Sequence, residues 1–234
     1  MRKARRVALL VCIGMIGGTV MACNSSDDTN AKEVVDMKED SIYNAIKQND
    51  VVLIQRLLKS NVDLEQRNAK GETPLMSAVY LERNAIAKLL IEAGANVNAQ
   101  DKVLNSPFLY AGAEGNLEIV QLSLKHGADF AIFNRYNGSA LIPAAEKGHL
   151  EVVKVLVNYP NYPIDHVNRL GWTALMEAIV LSNGGAVHIA IVDELIKGGV
   201  DVNIPDADGI TPLQHAINRK YTAIITLLKQ AGAK

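Results

Sequence analysis

Cysteine is nearly missing from this chain of 234 residues: there are two, Cys12 and Cys23. A disulfide framework needs cysteines in pairs, and a cysteine-based metal site needs more than one ligand. Aromatic residues are scarce as well, at 5%, so a cluster of exposed rings would be informative. No strong charge excess exists: the formal net charge is -1. It is unevenly spread, because Arg2, Lys3, Arg5 and Arg6 fall in the first six positions and no acidic residue precedes Asp27. The remainder carries 20 basic against 25 acidic residues. A mildly acidic body lacks the basic patch that phosphates require, which argues against a nucleic-acid partner. There is one long uncharged run, Val7 to Ala22, of 16 residues. A spanning helix needs about 20 predominantly apolar residues, so this run is short for a permanent anchor.

A basic start, an apolar run and small residues at its end make the pattern of a secretory signal. The run closes on Val20-Met21-Ala22-Cys23. This tetrapeptide resembles the lipobox of bacterial lipoproteins, and the resemblance implies that Cys23 is lipidated and becomes the mature N-terminus. A plain signal cut after Ala22 is the alternative. Either way Cys12 would be removed, leaving Cys23 unpaired, and lipidation accounts for an unpaired cysteine in an exported chain. The expected organisation is a signal peptide over 1–22, a polar flexible tether over 23–38 and a folded domain over 39–234. The expected location is the cell envelope, with membrane attachment through Cys23.

The folded part is internally repetitive. Thr73-Pro-Leu-Met-Ser-Ala78, Ser106-Pro-Phe-Leu-Tyr-Ala111, Ser139-Ala-Leu-Ile-Pro-Ala144, Thr173-Ala-Leu-Met-Glu-Ala178 and Thr211-Pro-Leu-Gln-His-Ala216 align at spacings of 33, 33, 34 and 38. Five residues before each stands Asn68, Asp101, Asn134, Asn168 or Asp206, with Gly71, Gly171 and Gly209 two before and Gly138 one before. Asn or Asp and Gly make a tight turn, Thr or Ser beside Pro opens a helix, and a small Ala permits close helix approach. A second apolar helix follows, usually ended by Gly. Period and signature resemble the ankyrin repeat family over about 195 residues. The resemblance implies an all-α solenoid of helix-turn-helix units with protruding β-turn tips. About six repeats are expected, with Asp40–Leu58 as N-terminal cap and the last repeat as the other cap.

Several positions depart from the family pattern. The fourth signature position, usually a His that ties one repeat to the next, holds Met76, Leu109, Ile142, Met176 and Gln214. Packing is expected to replace those bonds. Pro143 falls inside a first helix and should distort it. Asn158-Tyr-Pro-Asn-Tyr-Pro163 stands in place of Gly-Ala-Asp, and about five extra residues around Ser182–Ala186 lengthen the link between two helices. These features make the fourth and fifth repeats the ones expected to open first.

No motif for chemistry emerges. The five histidines (His126, His149, His166, His188, His215) show no metal-ligand spacing, and His126 and His149 read as solvated or capping residues. There is no Gly-rich phosphate loop and no G-x-S-x-G elbow. The expectation is therefore a protein-binding scaffold and not an enzyme, a monomer with no cofactor and no metal. An inhibitor that neutralises an envelope-directed toxin is the alternative. The resemblance implies a concave binding surface built from tips and first helices. Candidate contacts there are Lys70 and Tyr80 in the second repeat, Lys102, Val103 and Leu104 in the third, and Arg135 and Tyr136 in the fourth. Arg169, Leu170 and Trp172 follow in the fifth, and Ile210 in the sixth. Tyr136 and Trp172 are expected to be the anchors, since aromatic and Arg side chains dominate interface energetics.

Overall fold

The computed structural model describes residues 42–234. Cys23, the expected signal and the expected tether lie outside the described residues. Within them every regular element is a helix and no strand occurs.

The helices come in pairs. The first helix of each pair is α1 (42–48), α3 (Pro74–Tyr80), α5 (Pro107–Ala113), α7 (Leu141–Glu146), α9 (Ala174–Val180) and α11 (Pro212–Asn218). The second is α2 (Val51–Lys59), α4 (Asn84–Glu92), α6 (Leu117–Lys125), α8 (Leu150–Val157), α10 (Ala186–Lys197) and α12 (Thr222–Gln230). First helices from α3 to α11 pack on first helices and second helices from α2 to α12 on second, so that the second to sixth repeats touch in two layers. The six expected repeats are present.

The signature residues act as their chemistry suggests. Thr73, Ser106, Thr173 and Thr211 are N-caps whose hydroxyls accept from the amides of Met76, Leu109, Met176 and Gln214. The sixth-position alanines Ala78, Ala111, Ala144, Ala178 and Ala216 are completely buried between helices. At one crossing the spacing is tighter still: a Cβ on Gly112 would stand 2.7 Å from that of Ala140. The fourth repeat differs at its start. In the other four signatures the fifth residue donates the first helical bond back to the capping residue's carbonyl, as Ser77 does to Thr73 at 2.9 Å. Pro143 has no N–H to donate. The helix therefore begins one residue later, with Ala140 at the cap and no side-chain capping bond, and has six residues where α3, α5, α9 and α11 have seven.

The ends of the stack are thinner than its middle. The second helices of the interior repeats α4, α6 and α8 each bury four side chains, whereas α2 buries Ile54 and Leu57 and α12 buries Ile224 and Leu228. Among the described residues each of these two helices packs on one other second helix, α4 for α2 and α10 for α12, as a cap does.

The extra residues of the fifth repeat do two things. The link from α9 to α10 is Leu181–Gly185, two longer than the three-residue links of the second, third, fourth and sixth repeats, and α10 has 12 residues where the other second helices have eight or nine. So only part of the insertion lengthens the link, and the rest adds a turn to α10. Both parts are held. The Tyr221 hydroxyl donates to the Ser182 carbonyl at 2.7 Å from the sixth repeat, and His188 Nε2 lies 2.8 Å from the Glu146 carbonyl of the fourth. The Tyr159–Tyr162 turn is packed too. Tyr162 is 7% exposed, its hydroxyl accepts from the Leu141 amide at 3.2 Å, and burial raises its own pKa to about 12.

Loop side chains supply hydrogen bonds between successive repeats. The amides of Asn96, Asp129, Asp201 and Lys234 donate to side-chain oxygens of Glu65, Asn98, Asp165 and Asn203, each in the preceding repeat's loop. Packing alone does not replace the missing histidines.

Candidate partner-binding face

The tips are built identically. Asn68, Asp101, Asn134, Asn168 and Asp206 each accept two backbone amides on one side-chain oxygen, two and four residues on, at 2.9 to 3.1 Å. This rigid Asx turn projects its middle residues outward. Two backbone bonds join tips: Lys102 to the Lys70 carbonyl at 3.4 Å and Arg169 to the Tyr136 carbonyl at 2.9 Å.

The structure sorts the expected contact residues into groups. Val103, Leu104, Tyr136 and Leu170 are apolar and 44 to 56% exposed. Lys70, Lys102, Arg135 and Arg169 are exposed as well. Lys102 Nζ donates to the Ala69 carbonyl at 2.8 Å, Lys70 lies 3.8 Å from Glu72, and the Arg135 guanidinium sits 4.7 Å from the centre of the Tyr136 ring. Tyr80 is spoken for: its hydroxyl donates to Asp101 at 2.6 Å and accepts from Asn105 at 2.9 Å, and its ring meets Tyr110 edge to face at 4.6 Å. Burial and that carboxylate raise its pKa above the ordinary tyrosine value. Trp172 and Ile210 are half-buried. Trp172 does not project freely from its tip, and its amide is one of the two held by Asn168.

A pocket of about 240 Å³ opens between α7, α9 and the tips of the fourth and fifth repeats. Tyr136, Leu170 and Leu181 stand at it, exposed by 54, 56 and 48%. Glu146 and Glu177 are the only charged side chains lining it. Glu177 is 5% exposed. Its Oε1 accepts from Asn168 Nδ2 at 2.8 Å, and among the described residues no donor reaches Oε2. Burial, reinforced by the charge of Glu146 and partly offset by the Asn168 bond, lifts its pKa to about 7.

Sequence reasoning singled out Tyr136 and Leu170, which the pocket unites, but missed Glu146, Glu177 and Leu181. A signal existed for Glu177. Nine residues separate Asn68 from Ser77, Asn168 from Glu177 and Asp206 from His215, and each pair is hydrogen-bonded, the last at 2.7 Å. Of the histidines, His149 stands at the N-cap of α8 but its side chain makes no cap bond: it lies over Gly115, and its Nε2 is buried without a partner among the described residues. No group of three metal-ligating side chains forms among the described residues.

A family model described as ankyrin repeats (3 copies) matches residues 18–101, 108–189 and 160–234. The ankyrin repeat protein YahD of Escherichia coli (strain K12) is 35% identical over 189 residues, covering 81% of this chain and 94% of that one. The crystal structure of an ankyrin repeat domain from Acinetobacter baumannii AYE superposes with a TM-score of 0.81 at 48% identity, over 84% of this chain and 100% of the other. That of the ankyrin repeat protein EF0377 gives a TM-score of 0.79 at 40% identity, over 81% and 96%. The repeats, their tips and these likenesses establish that the chain belongs to the ankyrin repeat family.

Proposed function

We propose that this protein is a membrane-tethered, protein-binding scaffold of the bacterial cell envelope, and that its partner docks on the tips and first helices of the third to fifth repeats. The observation that carries the docking face is the row of exposed apolar side chains on otherwise polar tips, Val103, Leu104, Tyr136 and Leu170. Rigid turns present them at little conformational cost, which is the setting in which apolar and aromatic anchors bind strongly. A carboxyl raised to about 7 in a pocket is also what an acid–base site would have. Here it stands beside a second carboxylate with no Ser, Thr, Cys, Lys or His lining the pocket. Binding is therefore the better reading.

The tether rests on the Val20–Cys23 tetrapeptide. One acyl chain holds a protein only marginally, so the lipobox resemblance carries with it a multiply acylated cysteine. Cross-linking in intact envelopes tests the docking face. Val103→Asp and Tyr136→Ala should each lose the captured partner while melting like the wild type. Capture unchanged in both would reject the face. Cell fractionation tests the tether: Cys23→Ser should leave the membrane fraction, and a wild type as soluble as the variant would refute it.

A further inference from the structure

The pocket between α7 and α9 combines features that suit one kind of visitor. Its rim is apolar and exposed, with the Tyr136 ring and the Leu170 and Leu181 side chains. Its charge is all negative, from Glu146 and Glu177, and among the described residues no lysine or arginine lines it. The Glu177 side chain is 5% exposed, with one oxygen spent on Asn168 and the other, without a protein donor among the described residues, left open to the pocket. A buried carboxylate without a cation is costly, and a glutamine there would accept the same bond from Asn168 without that cost. Retaining the glutamate makes sense if a positive charge arrives from outside. Lysine and arginine carry a long apolar stem and a cationic head, which matches apolar rim and acidic floor in that order. The Tyr136 ring, which carries the Arg135 guanidinium 4.7 Å from its centre, contributes apolar contact for the stem. A calcium ion is a poorer match, since it takes six or more oxygen ligands and two carboxylates supply too few.

We propose that this pocket seats a lysine or arginine side chain of the docked partner, stem against Tyr136, Leu170 and Leu181 and head between Glu146 and Glu177. The inference rests on the tip-side docking reading and sharpens it: the partner presents a basic side chain to the fourth and fifth repeats.

Trp172, the only tryptophan, belongs to the same tip as Leu170 and serves as the reporter. The full-length protein, purified in detergent, is titrated with Nα-acetyl-arginine methylamide and Nα-acetyl-lysine methylamide, followed by Trp172 emission and by calorimetry. Saturable binding at millimolar concentration is expected. The neutral isostere Nα-acetyl-citrulline methylamide should bind at least tenfold more weakly. A Glu146→Gln/Glu177→Gln variant should lose at least tenfold for the cations while keeping its helical circular dichroism. No saturable signal by either readout, equal response to citrulline, calcium chloride alone saturating the site more tightly, or unchanged affinity in the variant would each overturn the proposal. The docking reading is judged separately through Val103→Asp, which lies outside the pocket. If Val103→Asp loses the cross-linked partner and the titration fails, only the pocket assignment falls.

Discussion

The loops of the first three repeats and those joining the third to the fourth do the same job with different chemistry. Between the first and third, polar side chains form rungs: Asn96 donates to Glu65, and Asn98 both accepts from Asp129 and donates to the Gly127 carbonyl at 2.8 Å. At the next junction the Gly-Ala-Asp segment is gone. Phe130 takes over, with Tyr162 at 4.8 Å and Tyr159 at 5.6 Å between ring centres, while the His166 imidazole stacks on Phe133 at 4.0 Å. The lesson is that a repeat that loses its consensus loop is not thereby weaker. A hydrogen-bonded rung contributes about 1 kcal/mol net, whereas a buried aromatic side chain contributes about 3–5 kcal/mol. Four of the chain's few aromatic rings are concentrated at this junction. The fourth repeat, expected from its lost consensus to open early, carries this aromatic packing in the loop's place, and hydrogen exchange decides which of the two prevails.

The sharpest way to break the comparison is to remove its aromatic side. Tyr162→Ala deletes a ring that is 7% exposed and leaves the Leu141 amide without its acceptor. A loss of about 4 kcal/mol is expected in urea unfolding. Hydrogen exchange should then place the first opening between the third and fourth repeats. A loss under about 1 kcal/mol would show that the aromatic cluster is not what holds this junction.

Next in size is the buried acid of the fifth repeat. Glu177 has a folded pKa of about 7 against a reference of 4.5, so the folded state binds the extra proton between those values. Stability from this group is highest below pH 4.5 and declines as pH rises to about 7, above which the penalty is constant. Glu177→Gln keeps the Asn168 bond and removes the penalty. Allowing for water in the open pocket, the variant should be about 2 kcal/mol more stable than wild type at pH 8 and equal to it at pH 4. The same difference at both pH values would mean that ionisation is not the cause.

The polar side of the comparison is probed by Asn98→Ala. It removes both bonds of one rung while leaving an exposed site, so a loss of about 1 kcal/mol is expected. The ratio of this loss to that of Tyr162→Ala measures how far the two junctions differ. Losses of equal size would erase the distinction.

What the sequence made legible was what repeats within one unit. Hydroxyls at 33-residue spacing located four helix caps, and the exception at Ser139 follows from the proline four residues on. Tyr136 and Leu170 were legible as tip residues for the same reason. Glu146 was not, because its meaning arises between units, and Glu177 was legible only through its nine-residue pairing with Asn168. Glu177 occupies a signature position where Ser77, Tyr110, Pro143 and His215 stand in the other repeats, so its identity there signals nothing alone. Its burial depends on α7 packing opposite and on Asn168 nine residues earlier. Tyr159 and Tyr162 were read as a departure for a like reason: their partner Phe130 belongs to the previous repeat.

The smallest expected effect concerns the tip of the third repeat. The fourth residue of each tip adopts a left-handed backbone, with φ of 78° at Gly71, 79° at Gly171 and 78° at Gly209. In the third repeat that residue is Leu104, at φ 60°. A side chain with a Cβ is strained there by about 1–2 kcal/mol, and leucine lacks the local polar bonding that lets Asn137 tolerate the same region in the fourth repeat. Glycine would relieve the strain but restore freedom to the unfolded chain, which offsets part of the gain. The Leu104 side chain is 44% exposed, so little packing is lost. A net gain of about 0.5–1 kcal/mol follows, or a melting temperature about 2 °C higher for a chain of this size. If strained leucine is kept because it touches the partner, Leu104→Gly should be more stable and yet capture less in the cross-linking experiment. A variant that melts lower would mean that the leucine's packing outweighs its strain. One that melts higher and captures fully would remove Leu104 from the docking face and leave Val103, Tyr136 and Leu170 to carry it.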